Sequence, residues 1–360
     1  MLKQITLTNF LSFRDKTIID LSVLNKNILK QNYNKNILKG LLLVGGNSSG
    51  KTNIFRALKL LIDAIYKKVT IPLKEYLCVF NTKSFYELEY DFLIGSESYN
   101  YLIRVNEKNE ILKETLSKGS DIILSRAKNT ASINNEPTEE DLPLGELYLR
   151  KIVKDPSLKK DLNAPKFLAF LNNIVLVSAR KDTITSYSGN PLELKEYLRI
   201  KGVKPINDFL SANNIDLQII YSDEGIFIKK TVNAKPVSLK YESTGVQALL
   251  RLLVLFFNAF ANNSILIIDE FSSNFHNQLE ELLIEYFFNQ ASSAQLLLTS
   301  HSTNILKMHL FKMEQIYSVY LTGAGSQVYR FSNYPIRESQ NLEKVYLSGA
   351  LNGISNLDKK

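Results

Sequence analysis

Along the chain the spacing of apolar positions changes several times, and each change predicts an element. Ile5, Leu7 and Phe10, then Ile18, Ile19, Leu21 and Val23, alternate as two strands, with Ser12-Phe13-Arg14-Asp15 as the turn of a hairpin. Asn25 to Lys39, rich in Asn and Lys, reads as a loop. Leu41 to Val44 is a continuous apolar run, the pattern of a strand buried on both faces. From Asn53 to Ala64 the period lengthens: Ile54, Ala57, Leu58, Leu61, Ile62 and then Ile65 recur at helical spacing. Alternation returns at Tyr86, Leu88, Tyr90 and Phe92 and again at Tyr99, Tyr101, Ile103 and Val105, with Gly95 to Ser98 between them as a turn. These strands predict an antiparallel sheet packed beside the Leu41–Val44 strand.

Residues 118–165 are polar and predict irregular structure, broken at Asn134-Asn135-Glu136-Pro137, apart from a helix over Leu142–Val153. Asn173–Ser178 reads as a buried strand ending in Ala179-Arg180, and Thr183–Asn190 as a loop. Pro191–Ile200 and Ile206–Ala212 read as helices, and Ile215–Ile220 with Gly225–Val232 as a second hairpin. The segment from about 120 to 215 is therefore expected to be a mostly helical lobe. Val246–Ala261 predicts a buried helix, too short and, with Gln247, Arg251 and Asn258, too polar to span a bilayer.

Composition narrows the setting. The 360 residues suggest two lobes or one elaborated domain, and a hydrophobic share of 45% supports a sizeable core. A net charge of +8, from 44 basic and 36 acidic residues, allows contact with nucleic acid, but the lysines are scattered and fit a solvated basic surface better. The single cysteine, Cys78, excludes an intrachain disulfide and cysteine-clustered zinc, and points to a reducing cytosol. Lys3, Gln4, Thr6 and Asn9 interrupt any opening apolar stretch, so no signal peptide is read. A soluble, cytoplasmic protein without a membrane partner is the expectation.

Candidate chemistry sits at the ends of the apolar runs. Gly45-Gly46-Asn47-Ser48-Ser49-Gly50-Lys51-Thr52 follows the Leu41–Val44 strand and opens the helix, and it fits G-x-x-x-x-G-K-[ST] at every fixed position. Glycines let the backbone curl so that N–H groups face phosphates, Lys51 adds a charge on the β/γ-phosphates, and Thr52 offers a hydroxyl to Mg²⁺. With the helix start through Asn53 presenting amides and dipole, this loop predicts binding of a nucleoside triphosphate. Ser264 to Glu270 reads as a serine, four apolar residues and then two acids, the Walker B pattern. It places Asp269 opposite Thr52 at the metal, and Glu270 where it orients or deprotonates an attacking water. Gln295 to His301 is another buried strand, whose terminal His301 faces the ligand crevice of an open α/β sheet. Upstream, Glu242-Ser243-Thr244-Gly245 opens the 246–261 helix; this is a phosphate site supplied to a second copy, or an ordinary helix N-cap.

Taken in order, these motifs resemble the ATP-binding-cassette type of ATPase, in the soluble branch of RecF, SMC and the OLD-family ATPases. Asn9-Phe10-Leu11-Ser12-Phe13-Arg14-Asp15 is similar to the opening of that branch, Glu242 to Gly245 to its degenerate signature, Ser272 to His276 to its D-loop, and His301 to its switch histidine. Val177-Ser178-Ala179-Arg180 and Tyr346-Leu347-Ser348-Gly349 resemble stretches of stand-alone OLD-like ATPases linked to phage defence. Leu-Ser-Gly-Gly-Gln is missing, which disfavours a transporter subunit, and Asn277 stands where proline commonly occurs. No glutamine-loop residue is assigned. Residues 120–215 lack heptads, and the acids after His301 (Glu314, Glu338, Glu343 and Asp358) are too scattered for a Toprim nuclease.

The resemblance implies an α/β fold: an ABC-type P-loop ATPase head with a mixed central sheet, an N-terminal antiparallel β subdomain and a helical insert lobe. It would be one domain over 1–360, with lobes 1–117, 118–215 and 216–360. It further implies ATP and Mg²⁺ as cofactors, catalysis by Glu270 and His301, and metal contacts from Thr52 and Asp269. Gly45, Asn47, Ser48, Ser49, Gly50, Lys51, Thr52 and Asn53 would bind nucleotide in one copy, and Ser243, Thr244 and Gly245 in its partner. A homodimer or higher oligomer would then control a separately encoded effector, such as a Toprim-type nuclease, in antiviral defence. A RecF-like clamp on duplex DNA is the alternative.

Overall fold

Leu41 to Val44 contribute alternate side chains to two different cores, and the architecture follows from that. Leu41 and Leu43 belong to one hydrophobic cluster, Leu42 and Val44 to the other. The structure is a computed structural model, and it describes residues 1–80, 83–138, 142–178, 183–190, 192–230, 235–273, 275–307, 310–335 and 340–352. Ala179, Arg180, Pro191, Val232, Glu338 and Asp358, named above, lie outside the described residues, as do Thr231 and Asn274 within the ranges given.

The chain begins with β1 (Leu2–Thr8) and β2 (Thr17–Asp20), a short ribbon of β3 (Tyr33–Asn34) and β4 (Ile37–Leu38), then β5 (Gly40–Val44) and α1 (Lys51–Tyr66). Six strands follow: β6 (Phe85–Ile94), β7 (Glu97–Asn106), β8 (Ile111–Lys118), β9 (Asp121–Ala127), β10 (Thr130–Ile133) and β11 (Glu136–Thr138). Next come α2 (Tyr148–Lys154), α3 (Pro156–Leu162) and α4 (Pro165–Asn172), then β12 (Val175–Ser178) and β13 (Thr183–Thr185). After α5 (Leu194–Lys201) and α6 (Lys204–Ala212), a small sheet forms from β14 (Gln218–Ser222), β15 (Gly225–Lys229) and β16 (Val237–Ser238). The last third holds α7 (Thr244–Asn262), β17 (Ile265–Asp269), α8 (Asn277–Gln290), β18 (Gln295–Thr299), β19 (Ile316–Thr322), β20 (Gly325–Arg330) and α9 (Leu342–Leu347).

Two large sheets result. The central one runs β13-β12-β17-β18-β5-β19-β20; its inner five strands are parallel and its two edges antiparallel. The other, β11-β10-β9-β8-β7-β6-β1-β2, is wholly antiparallel. One core joins the antiparallel sheet, α1, α2 and α4 to one face of the central sheet. The second core holds α5 to α8 against the opposite face, through Leu266, Ile268, Leu296 and Leu298. The fold is therefore α/β with a mixed central sheet and an antiparallel N-terminal sheet.

Several expectations need correction. Within the stretch read as irregular and assigned to a helical lobe, β9, β10 and β11 continue the antiparallel sheet to Thr138. Their alternation is hidden because a buried position on β9 is Arg126, whose guanidinium donates to the carbonyls of Lys128, Pro143 and Glu146. A register shift between Leu116 and Ser117 obscures it further. The helix expected from Leu142 begins only at Tyr148, and α3 and α4 were not anticipated; each has a proline in its first turn, where the missing N–H costs nothing. Thr183–Thr185 forms an edge strand on β12 in what was read as loop, and the Asn25–Lys39 loop contains the β3–β4 ribbon. At 19 residues, α7 is longer than expected and, by length and composition, apolar enough to cross a membrane. Here Leu250, Leu253, Val254 and Phe256 are buried in the second core, which accounts for that apolarity.

Helix α2 is tied to the antiparallel sheet by a buried acid. Glu114 on β8 is fully buried and accepts from the Tyr101 hydroxyl at 2.8 Å and from the backbone N–H groups of Tyr148 and Leu149 at 2.6 and 2.9 Å. It thus caps a helix that no side chain of its own caps. Burial raises the Glu114 pKa, and these three hydrogen bonds oppose the rise. Replacing Glu114 with Leu leaves all three donors unpaired and is expected to lower the unfolding free energy by roughly 2–5 kcal/mol. Urea denaturation of the wild type and Glu114→Leu measures this, and a loss under about 1 kcal/mol contradicts the capping role.

Candidate functional site

Three parallel strands end side by side, and their loops build one cleft. The order β17-β18-β5 places Asp269, Thr299 and the Gly45–Thr52 loop at the same edge of the sheet. Gly45 (φ 150°) and Gly50 (φ 110°) both adopt left-handed backbone conformations. A Cβ on Gly45 would strike the carbonyl oxygen of Val319, and one on Gly50 would lie 2.5 Å from Ser326 Oγ and 2.8 Å from Ser12 Oγ. The loop is therefore wedged between the β1–β2 turn and the β19–β20 hairpin. The Ser326 hydroxyl donates to the Ser49 carbonyl at 2.7 Å, and Asn53 Nδ2 to Ser12 Oγ at 2.8 Å. Gly50 is the N-cap of α1 and offers no side-chain cap; the Asn53 N–H bonds the Gly50 carbonyl at 2.9 Å, and the Lys51 and Thr52 amides remain available to an anion.

Lys51 is buried, with Nζ donating to the carbonyls of Gly45 at 2.6 Å and Gly46 at 2.8 Å. Burial pushes its pKa down to about 8, against the pull of Asp269 and Glu270. The Thr52 hydroxyl donates to Asp269, 3.0 Å from Oδ2 and 3.2 Å from Oδ1. Thr299 Oγ1 donates to Asp269 Oδ1 at 2.6 Å and accepts from the Glu270 backbone N–H at 2.8 Å. Glu270 has φ 64°, left-handed for a residue with a side chain. Its Oε1 lies 3.7 Å from His301 Nε2, while His301 Nδ1 lies 3.5 Å from Lys51 Nζ. Burial first, and then the neighbouring Lys51 charge, lower the His301 pKa, which favours the neutral imidazole.

Asn47, Ser48, Ser49, Gly50, Lys51, Thr52, Asn53, Glu270 and His301 line a cleft of about 580 Å³, joined by Arg56. The structure thus brings together the loop residues, the Walker B acids and the histidine singled out in the sequence. Ser243, Thr244 and Gly245 are not among them. They open a second groove with Val246, Phe275 and His276, and Ser243 caps α7 by accepting from the Val246 N–H at 3.3 Å. Tyr346, from the terminal stretch, stacks on Phe331 at 6.2 Å and has a packing role. Ser12, Arg56, Thr299 and Ser326 were missed as site residues. Thr299 had a signal, a hydroxyl ending a core strand one strand away from Asp269. Ser326 had none, because only the fold carries it to the loop.

The residues present suit a triphosphate and a hard cation. Ser49 Oγ is buried without a hydrogen-bond partner among the described residues, and uncapped amides face the cleft. The Thr52 hydroxyl and Asp269 carboxylate are oxygen donors of the kind Mg²⁺ takes alongside phosphates.

Residues 178–307 match the family model described as "AAA domain, putative AbiEii toxin, Type IV TA system". That stretch is less than half of the chain; it includes Asp269, Glu270 and His301 and leaves out the Gly45–Thr52 loop. No curated protein matches the sequence. Among solved structures, the chain is similar to the SMC head domain from Thermotoga maritima, with 16% identity and a TM-score of 0.52, over 93% of this chain and 99% of that one. It is also similar to an SMC head bound to the C-winged helix domain of ScpA, with 14% identity and a TM-score of 0.54, over 91% of this chain and 96% of that one. The fold is that of the SMC head, an ABC-type ATPase fold.

The hydroxyl of Thr299 holds the Asp269 side chain and the Glu270 backbone at once. Thr299→Val keeps the shape and removes both bonds, taking this acceptor from the part-buried Glu270 N–H, and is expected to cost about 1–3 kcal/mol of stability. Thermal and urea unfolding check this; unchanged stability excludes Thr299 as a structural clamp of the acids.

Proposed function

We propose that this chain is an ATP-binding and ATP-hydrolysing switch, built as one ATPase head and working as a dimer. One observation carries the reading: the Thr52 hydroxyl meets the Asp269 carboxylate at the mouth of an uncapped helix start, with Glu270 and His301 on the facing wall. In this reading the amides of Gly45 to Thr52, Lys51 and Asn53 hold the phosphates. Thr52 and Asp269 would hold a Mg²⁺, whose chemistry there would be neutralisation of charge developing on the phosphates. Glu270 orients the attacking water and accepts its proton, and neutral His301 donates a hydrogen bond to the terminal phosphate.

Dimerisation is supported by what the cleft lacks. The α7 start at Ser243, Thr244 and Gly245 opens a separate groove, so it reaches a nucleotide only when a second copy brings it there. ATP held between two copies ties binding to association and hydrolysis to release, the coupling a switch needs. A separately encoded effector, such as a nuclease in antiviral defence, is the partner this reading favours. Support comes from the AbiEii-type family match and from the similar SMC head that carries a domain of ScpA.

Glu270→Gln is expected to bind ATP, lose at least about a hundredfold in turnover and accumulate as a dimer or larger species with ATP. Turnover assays with light scattering read both properties. A mutant that hydrolyses normally removes Glu270 from the mechanism, and one that stays monomeric with ATP bound removes the composite site. Duplex DNA that raises turnover, with binding that weakens steeply as salt rises, would instead favour a DNA clamp.

Lys51 adds a pH signature. In the free protein its pKa is about 8, and contact with phosphates favours the charged form, so binding ATP draws in a proton above that pH. Affinity is expected to be full below pH 8 and to fall by up to about tenfold per unit as pH rises beyond it. Calorimetry in buffers of different ionisation heat measures the proton uptake; a pH-independent affinity between 7 and 9 rules the linkage out.

A further inference from the structure

Behind Glu270 and His301 lies a chain of hydroxyl groups that ends in a buried acid. Glu280, in the first turn of α8, is 1% exposed. Its carboxyl is hydrogen-bonded to the Ser272 side chain, and its Oε2 has no partner among the described residues. Ser272 Oγ lies 2.8 Å from Ser300 Oγ. Ser300 Oγ donates to the Ser302 carbonyl at 3.1 Å and accepts from the Ser302 N–H at 3.0 Å, closing the turn that carries His301. Ser272 is two residues beyond Glu270, and Ser300 directly precedes His301. The Ser272–Ser300 bridge therefore ties together the two loops whose tips bring Glu270 within 3.7 Å of His301.

Counting hydrogens gives the chain a direction. Each hydroxyl carries one hydrogen. Ser300 gives its own to the Ser302 carbonyl, so the Ser272–Ser300 bond needs the hydrogen of Ser272. Ser272 then has none left for Glu280, and their bond requires a hydrogen on the carboxyl. Were Glu280 ionised, Ser272 would turn its hydrogen to the carboxylate, Ser300 would turn toward Ser272, and the Ser302 carbonyl would lose its partner. An ionised Glu280 would also be a buried charge with one hydrogen bond and no cation paired with it among the described residues, a costly arrangement. Burial raises the Glu280 pKa, in the same sense, and outweighs the Ser272 hydrogen bond, which acts to lower it.

We propose that Glu280 is a positioning residue: as a neutral carboxylic acid it starts the hydrogen-bond chain Glu280 to Ser272 to Ser300 to Ser302, which holds Glu270 and His301 in register for hydrolysis. This rests on the ATPase reading above. Glu280 is not among the residues that line the cleft and acts only through the serines. Its neutral, hydrogen-donating form sets the direction of the chain.

Three variants test it. Glu280→Gln keeps a donor at the head of the chain and is expected to retain turnover within about twofold. Glu280→Leu fills similar volume without a donor and is expected to fold, bind ATP within about twofold of wild type and lose roughly 10–100-fold in kcat, the scale of a small misplacement of reacting groups. Ser300→Ala, a minimal change, is expected to follow Glu280→Leu and keeps the test open if that variant fails to fold. The chain has 3 histidines, so imidazole NMR resolves His301, whose signal should move in Glu280→Leu and Ser300→Ala and stay in place in Glu280→Gln. Full kcat with an unmoved His301 signal in Glu280→Leu overturns the proposal, and so does a Glu280→Gln variant as impaired as Glu280→Leu. If the wild type neither binds nor turns over ATP, the ATPase reading fails, while the His301 signal still tests the hydroxyl chain.

Discussion

The carboxylate of Asp269 holds the site together. It ends β17, yet it accepts hydrogen bonds from Thr299, at the end of β18, and from Thr52, in the helix that follows β5. Those three strands lie in the order β17-β18-β5, so β17 and β5 stand roughly two strand spacings apart, about 10 Å. One carboxylate spans that gap because Thr299 supports it from the strand between and α1 hangs its first turn over the sheet edge. The continuous apolar runs on all three strands exist to bring those ends into line, since a strand buried on both faces has little freedom to slip in register.

Around that carboxylate the chain uses two kinds of polar group. Charged side chains face the cleft, where the triphosphate of the proposed function would meet them. Behind them the structure uses hydroxyls: Ser12 and Ser326 against the Gly45–Thr52 loop, Thr299 beneath the acids, and Ser272 with Ser300 between the loops that carry Glu270 and His301. A hydroxyl both donates and accepts, and burying it costs far less than burying an unpaired ion. It can therefore brace loops without adding charge that would disturb Lys51 or His301. Lys51 shows what burial does: its ammonium rests on two loop carbonyls and its pKa drops to about 8, against the pull of Asp269 and Glu270.

What the sequence made legible was what is local. The Leu41–Val44 run, the loop after it, α1, and Asp269-Glu270 at the end of an apolar strand each announce themselves within a few residues, and their meeting follows from the rules of parallel sheets. The antiparallel sheet beyond residue 118 was not legible. One of its buried positions is Arg126, which enters the core because the carbonyls of Pro143 and Glu146, 17 and 20 residues away, accept from its guanidinium. The same reason hid the walls of the phosphate loop: Ser326 is 277 residues from the Ser49 carbonyl it bonds, and no spacing predicts such a pair. The role of Ser243 to Gly245 divided for another reason. Helix capping and phosphate binding use the same residue types at the same place, and in this fold the cap is made.

Backbone geometry at Glu270 explains how two adjacent acids serve one cleft. Along a strand, successive side chains point to opposite faces, so a continued β17 would send Asp269 toward the phosphate loop and Glu270 away from it. At φ 64° the chain leaves the strand at Glu270, and its carboxylate returns to the same side, facing His301. A left-handed conformation costs a residue with a side chain about 1–2 kcal/mol, and glycine would remove the cost. Glycine would also remove the carboxylate. The bond from the Glu270 N–H to Thr299 offsets part of the strain and fixes the turn, so the hydroxyl that steadies Asp269 also directs Glu270. Strain of this kind survives only where surrounding contacts over-determine it. Here those contacts are Thr299 on one side and the Ser272–Ser300 bridge on the other, which makes the turn after β17 the point where fold stability and the proposed chemistry depend on the same few hydrogen bonds.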